Sequence, residues 1–344
     1  MTTPTNPTNP ATASGVRVIG SLAELLAELD ERRPFKTSDS LSGSRFESAR
    51  YRGEPVILKY VSVDDDWIMR ATGDIDCRAR RLFASDALDR LPASIDHATV
   101  AVAPLESRHG HKGAALLLRD ASGLLVPPGS DVIPLDTHQR FIEHMAELHA
   151  SYWGFQDTIA LNPMAHHYLF LTPAMATLEA ARAGGDPVPK AVAHGWAEIG
   201  HMDSGLSTSL ATLARDPSPL VRALEATPRT FVHGDWKYGN LGEHADGRTV
   251  LLDWDRCGAA PATFDLAWYL AVNCDRLPES KEETIVRYRQ VLEHHGVATS
   301  AWWDTQLALT LLGAGLQLLW SKTADAAEFG WWRDRVNEGE RFLA

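Results

Sequence analysis

The chain of 344 residues exceeds the size at which a single hydrophobic core stops growing, so its length favours two packed lobes. A formal net charge of -12, from 45 acidic and 33 basic residues, argues against a nucleic-acid partner, because affinity for phosphate backbones comes largely from Lys and Arg. No apolar run approaches the roughly 18 residues that a membrane-spanning helix needs, so no membrane partner is expected.

Two features of the sequence bear on cellular location. Residues 1–14 are rich in Thr, Pro, Asn and Ala and have no basic segment followed by an apolar one, which predicts a disordered tail and no signal peptide. The three cysteines, Cys77, Cys257 and Cys274, are widely spaced and odd in number, so they predict neither a disulfide framework nor a zinc site. Both features favour a cytoplasmic protein.

Residues 15–118 read as a lobe that is rich in β-structure. Ser21 and Glu24 are spaced as a capping box ahead of a leucine stripe, which predicts a first helix. Residues 37–61 predict a strand hairpin that ends in PVILKYV, and residues 74–91 have helical spacing. The segments TVAVAP and GAALLLRDAS predict two further strands.

The remainder of the chain reads as mostly helical. Residues 119–123 begin a Gly/Pro-rich break that is typical of a hinge, and residues 124–344 form the second predicted lobe. Its first helix begins near Asp136. The helical pattern is interrupted at residues 229–265, where short apolar strands lie between polar loops. The fold class is therefore predicted as α+β with a β-rich N-terminal lobe and a helical C-terminal lobe.

The interruption contains an ordered series of polar side chains. His233-Gly234-Asp235 is followed by Asn240, then by an apolar strand that ends at Asp253. Transfer of a γ-phosphoryl group needs a carboxylate to orient the acceptor hydroxyl, Mg²⁺ to bridge phosphate oxygens, and cationic charge nearby. Carboxylate and amide oxygens are the ligands that Mg²⁺ prefers. The series therefore contains the residue types that this chemistry requires.

The sequence HGDWKYGN, followed by LLDWD and then by FDLA, resembles the aminoglycoside phosphotransferase family of the protein-kinase-like superfamily. The motif core covers about 35 residues, and the order of β-rich part, hinge and helical part extends the resemblance over most of the chain. The resemblance implies a bilobal protein-kinase-like fold. It also implies transfer of a γ-phosphoryl group from ATP or GTP to a hydroxyl of a small molecule.

The resemblance also implies roles for individual residues. It makes Asp235 the catalytic base and Asn240 and Asp253 the Mg²⁺ ligands. Lys59 in VILKY would hold the α- and β-phosphates, although a lone strand lysine could equally face solvent. Lys237 would contact the γ-phosphate, with a solvated loop lysine as the alternative.

The rest of the predicted nucleotide site departs from the protein-kinase pattern. Ser42, Gly43 and Ser44 could place N–H groups and hydroxyls over the phosphates, although they do not form a G-x-G-x-x-G loop. The base should pair with backbone groups at the hinge, around Arg119 and Asp120.

Three further side chains are expected to support the site. The acidic partner of Lys59 is expected at Asp74 or Asp76 on the following helix. His233 is expected to hold the catalytic loop, and the family resemblance implies that Asp265 accepts hydrogen bonds from the backbone of that loop.

Substrate contacts are expected from the helices between 155 and 225 and from the C-terminal helices. The histidines and tryptophans in these parts are candidates by position only, because core packing explains such residues more often. They are His166, His167, Trp302, Trp303, Trp331 and Trp332.

Two other functions remain to be weighed. A nucleotide-binding pseudokinase with a regulatory or binding role would agree with the absence of an obvious partner for Lys59. A protein kinase is disfavoured, because Gly234 stands where many protein kinases have an arginine and the interval from Asp255 to Asp265 is too short for an activation segment. Fold analogy does not choose among an aminoglycoside, an amino sugar and another alcohol as acceptor.

Overall fold

The computed structural model describes residues 15–36, 42–106, 109–182 and 186–343. A six-stranded sheet and three short helices form its N-terminal lobe. The predicted tail, residues 1–14, lies outside the described residues. The elements of this part are β1 Arg17–Val18, α1 Leu22–Ala27, β2 Leu29–Phe35, β3 Arg45–Tyr51, β4 Glu54–Val61, α2 Trp67–Ala71, α3 Arg78–Phe83, β5 Ile95–Asp96, β6 Thr99–Glu106 and β7 Lys112–Arg119. The order of strands in the sheet is β1-β6-β7-β4-β3-β2, and only β1 pairs in parallel.

The predicted hairpin is formed by β3 and β4, which are joined at Arg52 and Gly53. Both turn residues have positive φ, 53° and 85°, as a two-residue hairpin turn requires. The first part of the predicted stretch, residues 37–41, lies outside the described residues. Strand β2 was not predicted, because its sequence LDERRPF carries the charges and proline of an exposed edge strand instead of an apolar alternation.

The helix predicted over 74–91 is wrong in extent, because α3 covers only Arg78–Phe83. The carboxylate of Asp74 accepts a hydrogen bond from the Arg78 N–H at 3.0 Å, so Asp74 lies before the helix and not in it. After α3, the Ser85 hydroxyl donates to the Leu82 carbonyl and accepts from the Ala87 N–H. Such local side-chain bonds compete with helix continuation, which explains the early end.

The C-terminal lobe is helical, with two small sheets between its helices. Its elements are α4 Leu135–Ser151, α5 Met164–Leu169, α6 Pro173–Ala180, α7 Pro187–Met202, α8 Ser204–Arg215, α9 Ser218–Glu225, β8 Arg229–Val232, β9 Leu241–Glu243, β10 Thr249–Leu251, β11 Gly258–Pro261, α10 Thr263–Val272, α11 Lys281–His294, α12 Trp303–Leu318 and α13 Ala326–Glu340. Strands β8 and β11 pair antiparallel, and β9 pairs antiparallel with β10. The predicted α+β bilobal fold is confirmed. Within the described residues, no helix combines the length and apolar composition that crossing a membrane requires.

The two lobes are connected by more than the predicted hinge. Strand β5, which precedes β6 in the chain, pairs in parallel with β10 of the C-terminal lobe. Asp96 of β5 accepts hydrogen bonds from the His244 side chain at 2.8 Å and from the Arg119 guanidinium at the hinge. Burial raises the pKa of Asp96, but these partners and the Ala98 N–H outweigh it and lower the pKa to about 2.

Replacing Asp96 with Asn should therefore reduce stability in a pH-dependent way. A pKa lowered from 3.8 to about 2 corresponds to about 2 kcal/mol of stabilisation, fully present above about pH 4 and lost as the pH falls through about 2. Urea unfolding of Asp96→Asn should show this loss near pH 7 and a much smaller one near pH 2. If the native protein and Asp96→Asn were equally stable near pH 7, the stabilising role of the Asp96 carboxylate would be contradicted.

Candidate active site

One cavity between the lobes has an apolar part and a charged part. The apolar part is lined by Phe35, Phe46, Ile57, Leu118, Leu125 and Leu252. The charged part is lined by Lys59, Asp66, Asp235, Lys237, Asn240, Asp253, Asp255 and Arg256. A flat apolar ligand group fits the first part, and phosphates with a cation fit the second.

The loop that follows β8 makes a turn that only glycine permits at Gly234. Its φ is +80°, and a Cβ there would lie 2.5 Å from the Arg256 carbonyl oxygen and 2.8 Å from His167 Cε1. This close approach brings the next residue, Asp235, to the cavity. An arginine at position 234, as in many protein kinases, would not fit.

Asp265 at the start of α10 anchors the same loop. Its two carboxylate oxygens accept from the N–H groups of His233 at 2.7 Å and Gly234 at 2.8 Å, and the His149 ring lies 3.2 Å away. Burial raises the pKa of Asp265, but the hydrogen bonds outweigh it and hold the pKa below its usual value. His233 Nδ1 accepts from the Asp235 N–H at 3.2 Å. Burial lowers the pKa of this imidazole, so His233 holds the loop as a neutral ring.

The Asp235 carboxylate has different neighbours at its two oxygens. Oδ2 accepts from Asn240 Nδ2 at 2.9 Å and lies 3.0 Å from Lys237 Nζ. Oδ1 lies 3.3 Å from Arg256 Nη1. Burial raises the pKa of Asp235, but Lys237 and Arg256 outweigh it and lower the pKa to about 2. Asp235 is therefore ionised near neutral pH.

Asn240 and Asp253 present oxygens that suit Mg²⁺. The Asn240 Nδ2 group donates to both the carbonyl and the carboxylate of Asp235, which leaves its amide oxygen free to serve as a ligand. Asp253 follows β10 in a left-handed conformation with φ 60°, and its side chain keeps 45% of its surface exposed at the cavity. One carboxylate, one amide oxygen and substrate phosphates form the kind of partial ligand set that Mg²⁺ accepts.

Lys59 on β4 is buried, and it bonds to Asp253 and Asp255. Its Nζ lies 2.8 Å from Asp253 Oδ1 and 3.0 Å from Asp255 Oδ2. Burial lowers the pKa of Lys59, but the two carboxylates outweigh it and raise the pKa above its usual value. The expectation of Asp74 or Asp76 as the partner of Lys59 is wrong. The Asp74 carboxylate accepts from the Arg78 N–H at 3.0 Å, and Asp76 lies 3.1 Å from the Lys112 amine.

Asp66 is a buried acid near Lys59 that sequence reasoning missed. It caps α2, accepting from the Ile68 and Met69 N–H groups at 2.8 and 3.1 Å, and its charge favours the protonated form of Lys59. An Asp directly before the apolar run WIM is a helix-start signal that could have identified it.

The Ser42-Gly43-Ser44 segment is tied to the start of α2. The Ser44 hydroxyl donates to Asp66 Oδ2 at 2.8 Å, and the Trp67 N–H donates to the Ser42 carbonyl at 3.0 Å. Gly43 has φ +87°, and a Cβ there would lie 2.5 Å from the Asp65 carbonyl oxygen. Of the three residues, Ser42 lines the cavity.

The hinge residues Arg119 and Asp120 lie at the cavity rim with their side chains already bonded. The Arg119 guanidinium bonds to Asp96, and the Asp120 carboxylate accepts from the Ser122 N–H at 3.0 Å and from its hydroxyl at 2.6 Å. Their N–H groups donate to the carbonyls of Ala98 and Pro55. Ala121, the next residue of the hinge, also lines the cavity.

The six histidines and tryptophans considered for substrate contact, all of them described, are absent from the residues that line the cavity. His166 Nδ1 lies 2.7 Å from the Thr72 carbonyl oxygen, and Trp303 stacks on Tyr288 with ring centroids 6.1 Å apart. These contacts are packing and local hydrogen bonding. Instead, the cavity contains Arg256, which sequence reasoning missed because only the fold brings it to Asp235, 21 residues earlier in the chain.

Comparisons with known proteins agree with this geometry. Residues 136–298 match the model of the phosphotransferase enzyme family. The fold is similar to the microcompartment-associated aminopropanol kinase (14% identity, 93% of this chain and 96% of the other, TM-score 0.50). It is also similar to the choline kinase LicA from Streptococcus pneumoniae (12% identity, 93% of this chain and 95% of the other, TM-score 0.50). The structure of LicA in complex with AMP is similar to the same degree (12% identity, 94% of this chain and 95% of the other, TM-score 0.51). At sequence identities this low, the structural similarity is evidence for the fold alone.

A search of curated proteins finds no match. The family model covers the loop at Asp235, the Asp253 turn and Asp265. The resemblance inferred from the sequence motifs is thus confirmed by the match of residues 136–298 to this family model.

Proposed function

We propose that the protein transfers the γ-phosphoryl group of ATP to a hydroxyl group of a small molecule. The observation that carries the proposal is the convergence of Asp235, Asn240, Asp253 and Lys59 at the charged end of one cavity, beside an apolar wall that suits a nucleobase. These four residues lie on a loop, a strand and a turn that belong to different lobes. It is therefore the fold that brings their side chains together.

Asp235 is the proposed base of the reaction. Its carboxylate is ionised and held by Asn240 and Lys237, so it can accept a hydrogen bond from the acceptor hydroxyl and orient it. The acceptor oxygen forms a bond to the γ-phosphorus while the bond to the β–γ bridging oxygen breaks. ADP leaves with that bonding pair, and the hydroxyl proton passes to Asp235 and then to water.

The nucleotide is proposed to lie along the cavity with its base against Ile57 and Leu252. The hinge backbone at Ala121 would pair with the base edge, which leaves the choice between ATP and GTP to backbone groups. Lys59 would hold the α- and β-phosphates, and Lys237 would contact the γ-phosphate. Ser42 would add a hydroxyl from the N-terminal lobe.

Asn240 and Asp253 are the proposed holders of Mg²⁺, with Asp255 close to them. A bound Mg²⁺ would neutralise charge on the phosphate oxygens. The protein itself supplies the fixed positions of these side chains: Asn240 is held by Asp235, and Asp253 is held by Lys59.

The solved relatives support a nucleotide-dependent kinase of small molecules. An aminopropanol kinase and a choline kinase share the fold, and the latter has a structure in complex with AMP. The acceptors of these two kinases are not assumed to be acceptors of this protein.

The test is an assay of ADP release with Mg²⁺-ATP and Mg²⁺-GTP against aminoglycosides, amino sugars and other hydroxylated compounds. Acceptor-dependent turnover is expected for the native protein, and Asp235→Asn should reduce kcat about 10²-fold because general-base catalysis is lost. Asn has the size of Asp, so nucleotide binding should persist. Full turnover in Asp235→Asn would contradict the assignment of the base.

The alternative is a pseudokinase that binds nucleotide without transferring phosphate. It is favoured by the absence of a Lys59 partner at Asp74 or Asp76, and opposed by the complete set Asp235, Asn240 and Asp253. Nucleotide binding without ADP release for any acceptor would favour it. A protein kinase remains disfavoured, because β11 and α10 follow the Asp255 turn within a few residues.

A further inference from the structure

The short helix α2 lies between the two lobes. Its buried residues Trp67 and Met69 belong to the same hydrophobic core as the C-terminal lobe, and the Trp67 ring stacks on Phe170 with ring centroids 6.0 Å apart. Its N-cap, Asp66, accepts from the Ser44 hydroxyl and lines the charged part of the cavity. The helix therefore contacts the proposed phosphate site at its N-terminus and the C-terminal lobe along its side.

The guanidinium of Arg70 on α2 bonds to both lobes at once. Its Nε lies 3.1 Å from each carboxylate oxygen of Glu179 on α6, and its Nη2 lies 2.8 Å from Glu179 Oε2. Its Nη1 donates to the carbonyls of Val63 and Asp64 at 2.9 and 3.2 Å. The side chains of Arg70 and Glu179 are only 16% and 7% exposed. A charge-assisted pair of this kind is geometrically specific as well as strong.

The two carbonyls that Arg70 holds lie on the connection from β4 to α2. Lys59 lies on β4 before these carbonyls, and Asp66 follows them at the start of α2. The bonds from Arg70 therefore tie together the segment that carries both residues. Because Glu179 holds the same guanidinium, this segment is also fixed to the C-terminal lobe.

The other contacts between α2 and the C-terminal lobe act at different places. The stack of Trp67 on Phe170 is an apolar contact, and apolar burial is not directional. His166 holds the far end of the helix, where its Nδ1 lies 2.7 Å from the Thr72 carbonyl oxygen. The Arg70–Glu179 pair, in contrast, acts on the segment between Lys59 and Asp66.

The proposed transfer needs residues of both lobes at fixed distances from one another. Lys59 comes from the N-terminal lobe, whereas Asp235 and Asp253 come from the C-terminal lobe, and all three would act on one nucleotide. A misplacement of about 1 Å, even from a change far from the chemistry, can cost about 10²-fold in rate. A bond that sets the distance between the two groups of residues therefore affects the reaction.

We propose that Arg70 and Glu179 are a positioning pair, which holds the phosphate-binding residues of the N-terminal lobe in place relative to Asp235. Neither residue is among those that line the cavity, although both lie in the described part of the chain. The pair acts through Lys59 and Asp66 instead of through contact with a ligand. This inference rests on the proposed phosphotransferase function and adds two residues from outside the cavity to it.

The experiment is a double-mutant cycle. Arg70→Gln, Glu179→Gln and the double variant are compared with the native protein for kcat and KM with Mg²⁺-ATP and an acceptor that supports ADP release. Gln retains hydrogen-bonding groups at both positions, and thermal melting shows whether each variant is folded. Arg182→Gln is the matched control, because Arg182 also bonds to Glu179, at 3.2 Å, but lies on the same lobe with 58% of its side chain exposed.

We expect each single variant to lower kcat/KM about 30-fold, as a small misplacement of the phosphate-binding residues would. The double variant should be no worse than the weaker single variant, because two residues that act as one unit are not additive. Arg70→Lys keeps the charge and should regain part of the loss, and Arg182→Gln should change kcat/KM by less than about 2-fold, as exposed pairs contribute little. Rates are measured well below the lowest melting temperature.

A purely structural role would give a different result. It would lower the melting temperature and leave kcat/KM of the folded protein unchanged, which would overturn the inference. Additive losses in the cycle would also overturn it, because the two residues would then act separately. If a Gln variant does not fold, Arg70→Lys decides: a native kcat/KM overturns the inference, and a lowered one in folded protein supports it.

Calorimetry with Mg²⁺-AMP-PNP and with AMP decides the case in which no acceptor is turned over. AMP lacks the β- and γ-phosphates, so Arg70→Gln should weaken binding of Mg²⁺-AMP-PNP about 10-fold and of AMP by less than about 3-fold, the usual range for coupling between sites. Equal effects on the two ligands, or none, overturn the inference. ADP release that Asp235→Asn does not change would contradict the proposed function and leave this comparison to judge the pair. No binding of Mg²⁺-AMP-PNP to the native protein would overturn both.

Discussion

Asp253→Asn is expected to lower kcat/KM about 10³-fold and to raise the Mg²⁺ concentration needed for turnover. The substitution removes the carboxylate charge that would hold Mg²⁺, and a bound metal contributes several kcal/mol of transition-state stabilisation. It also removes one of the two carboxylates that hold Lys59. Initial rates over a series of Mg²⁺ concentrations measure both effects.

The choice of Asn keeps the backbone of this turn intact. Residue 253 has φ 60°, a left-handed conformation that Asn tolerates and that costs Ala roughly 1 kcal/mol or more. Asp253→Ala should therefore lower both activity and stability, whereas Asp253→Asn should lower mainly activity. Asp246→Asn, in the exposed turn between β9 and β10, is the control for a lost carboxylate. An unchanged Mg²⁺ requirement in Asp253→Asn would show that Asp253 is not a ligand.

Asp265→Ala is expected to destabilise the fold by about 3–5 kcal/mol. The change leaves the N–H groups of His233 and Gly234 buried without acceptors, at about 1–3 kcal/mol each, and it removes the contact with the His149 ring. Total stabilities are typically about 5–15 kcal/mol, so this is a large fraction. Urea unfolding measures it.

The exposed Asp304 in the first turn of α12 provides the control for this prediction. Asp304→Ala removes the same side chain from a solvent-accessible helix start and should cost less than about 1 kcal/mol. If Asp265→Ala were as stable as Asp304→Ala, Asp265 would not be the anchor of the loop. Any residual activity of folded Asp265→Ala should be low, because the position of Asp235 depends on this anchor.

The parts of the site that lie close together in the chain were predictable from the sequence. Asp235 and Asn240 are five residues apart, and a hydrogen bond between their side chains forms within that one loop. Asp265 follows soon after, at the start of a strongly apolar helix. Local chemistry and the family pattern were sufficient for these residues.

The parts that depend on distant contacts were not predictable. Lys59 meets Asp253 and Asp255 across 194 and 196 residues, and no local pattern encodes that pairing. Arg256 is an ordinary arginine in the sequence, and only the fold brings Phe170 and Trp268 to its two sides. The pairing of β5 with β10 also spans the chain and was missed for this reason.

The position of β5 has a consequence for the opening of the cleft. The segment that returns from β5 lies beside the hinge, because the Arg119 N–H donates to the Ala98 carbonyl at 2.9 Å. At α2 the lobes are joined again, where the Arg70 guanidinium bonds to Glu179 at 2.8 Å and Trp67 stacks on Phe170. Connections at separate places restrain the lobes from moving apart as two rigid bodies about the hinge.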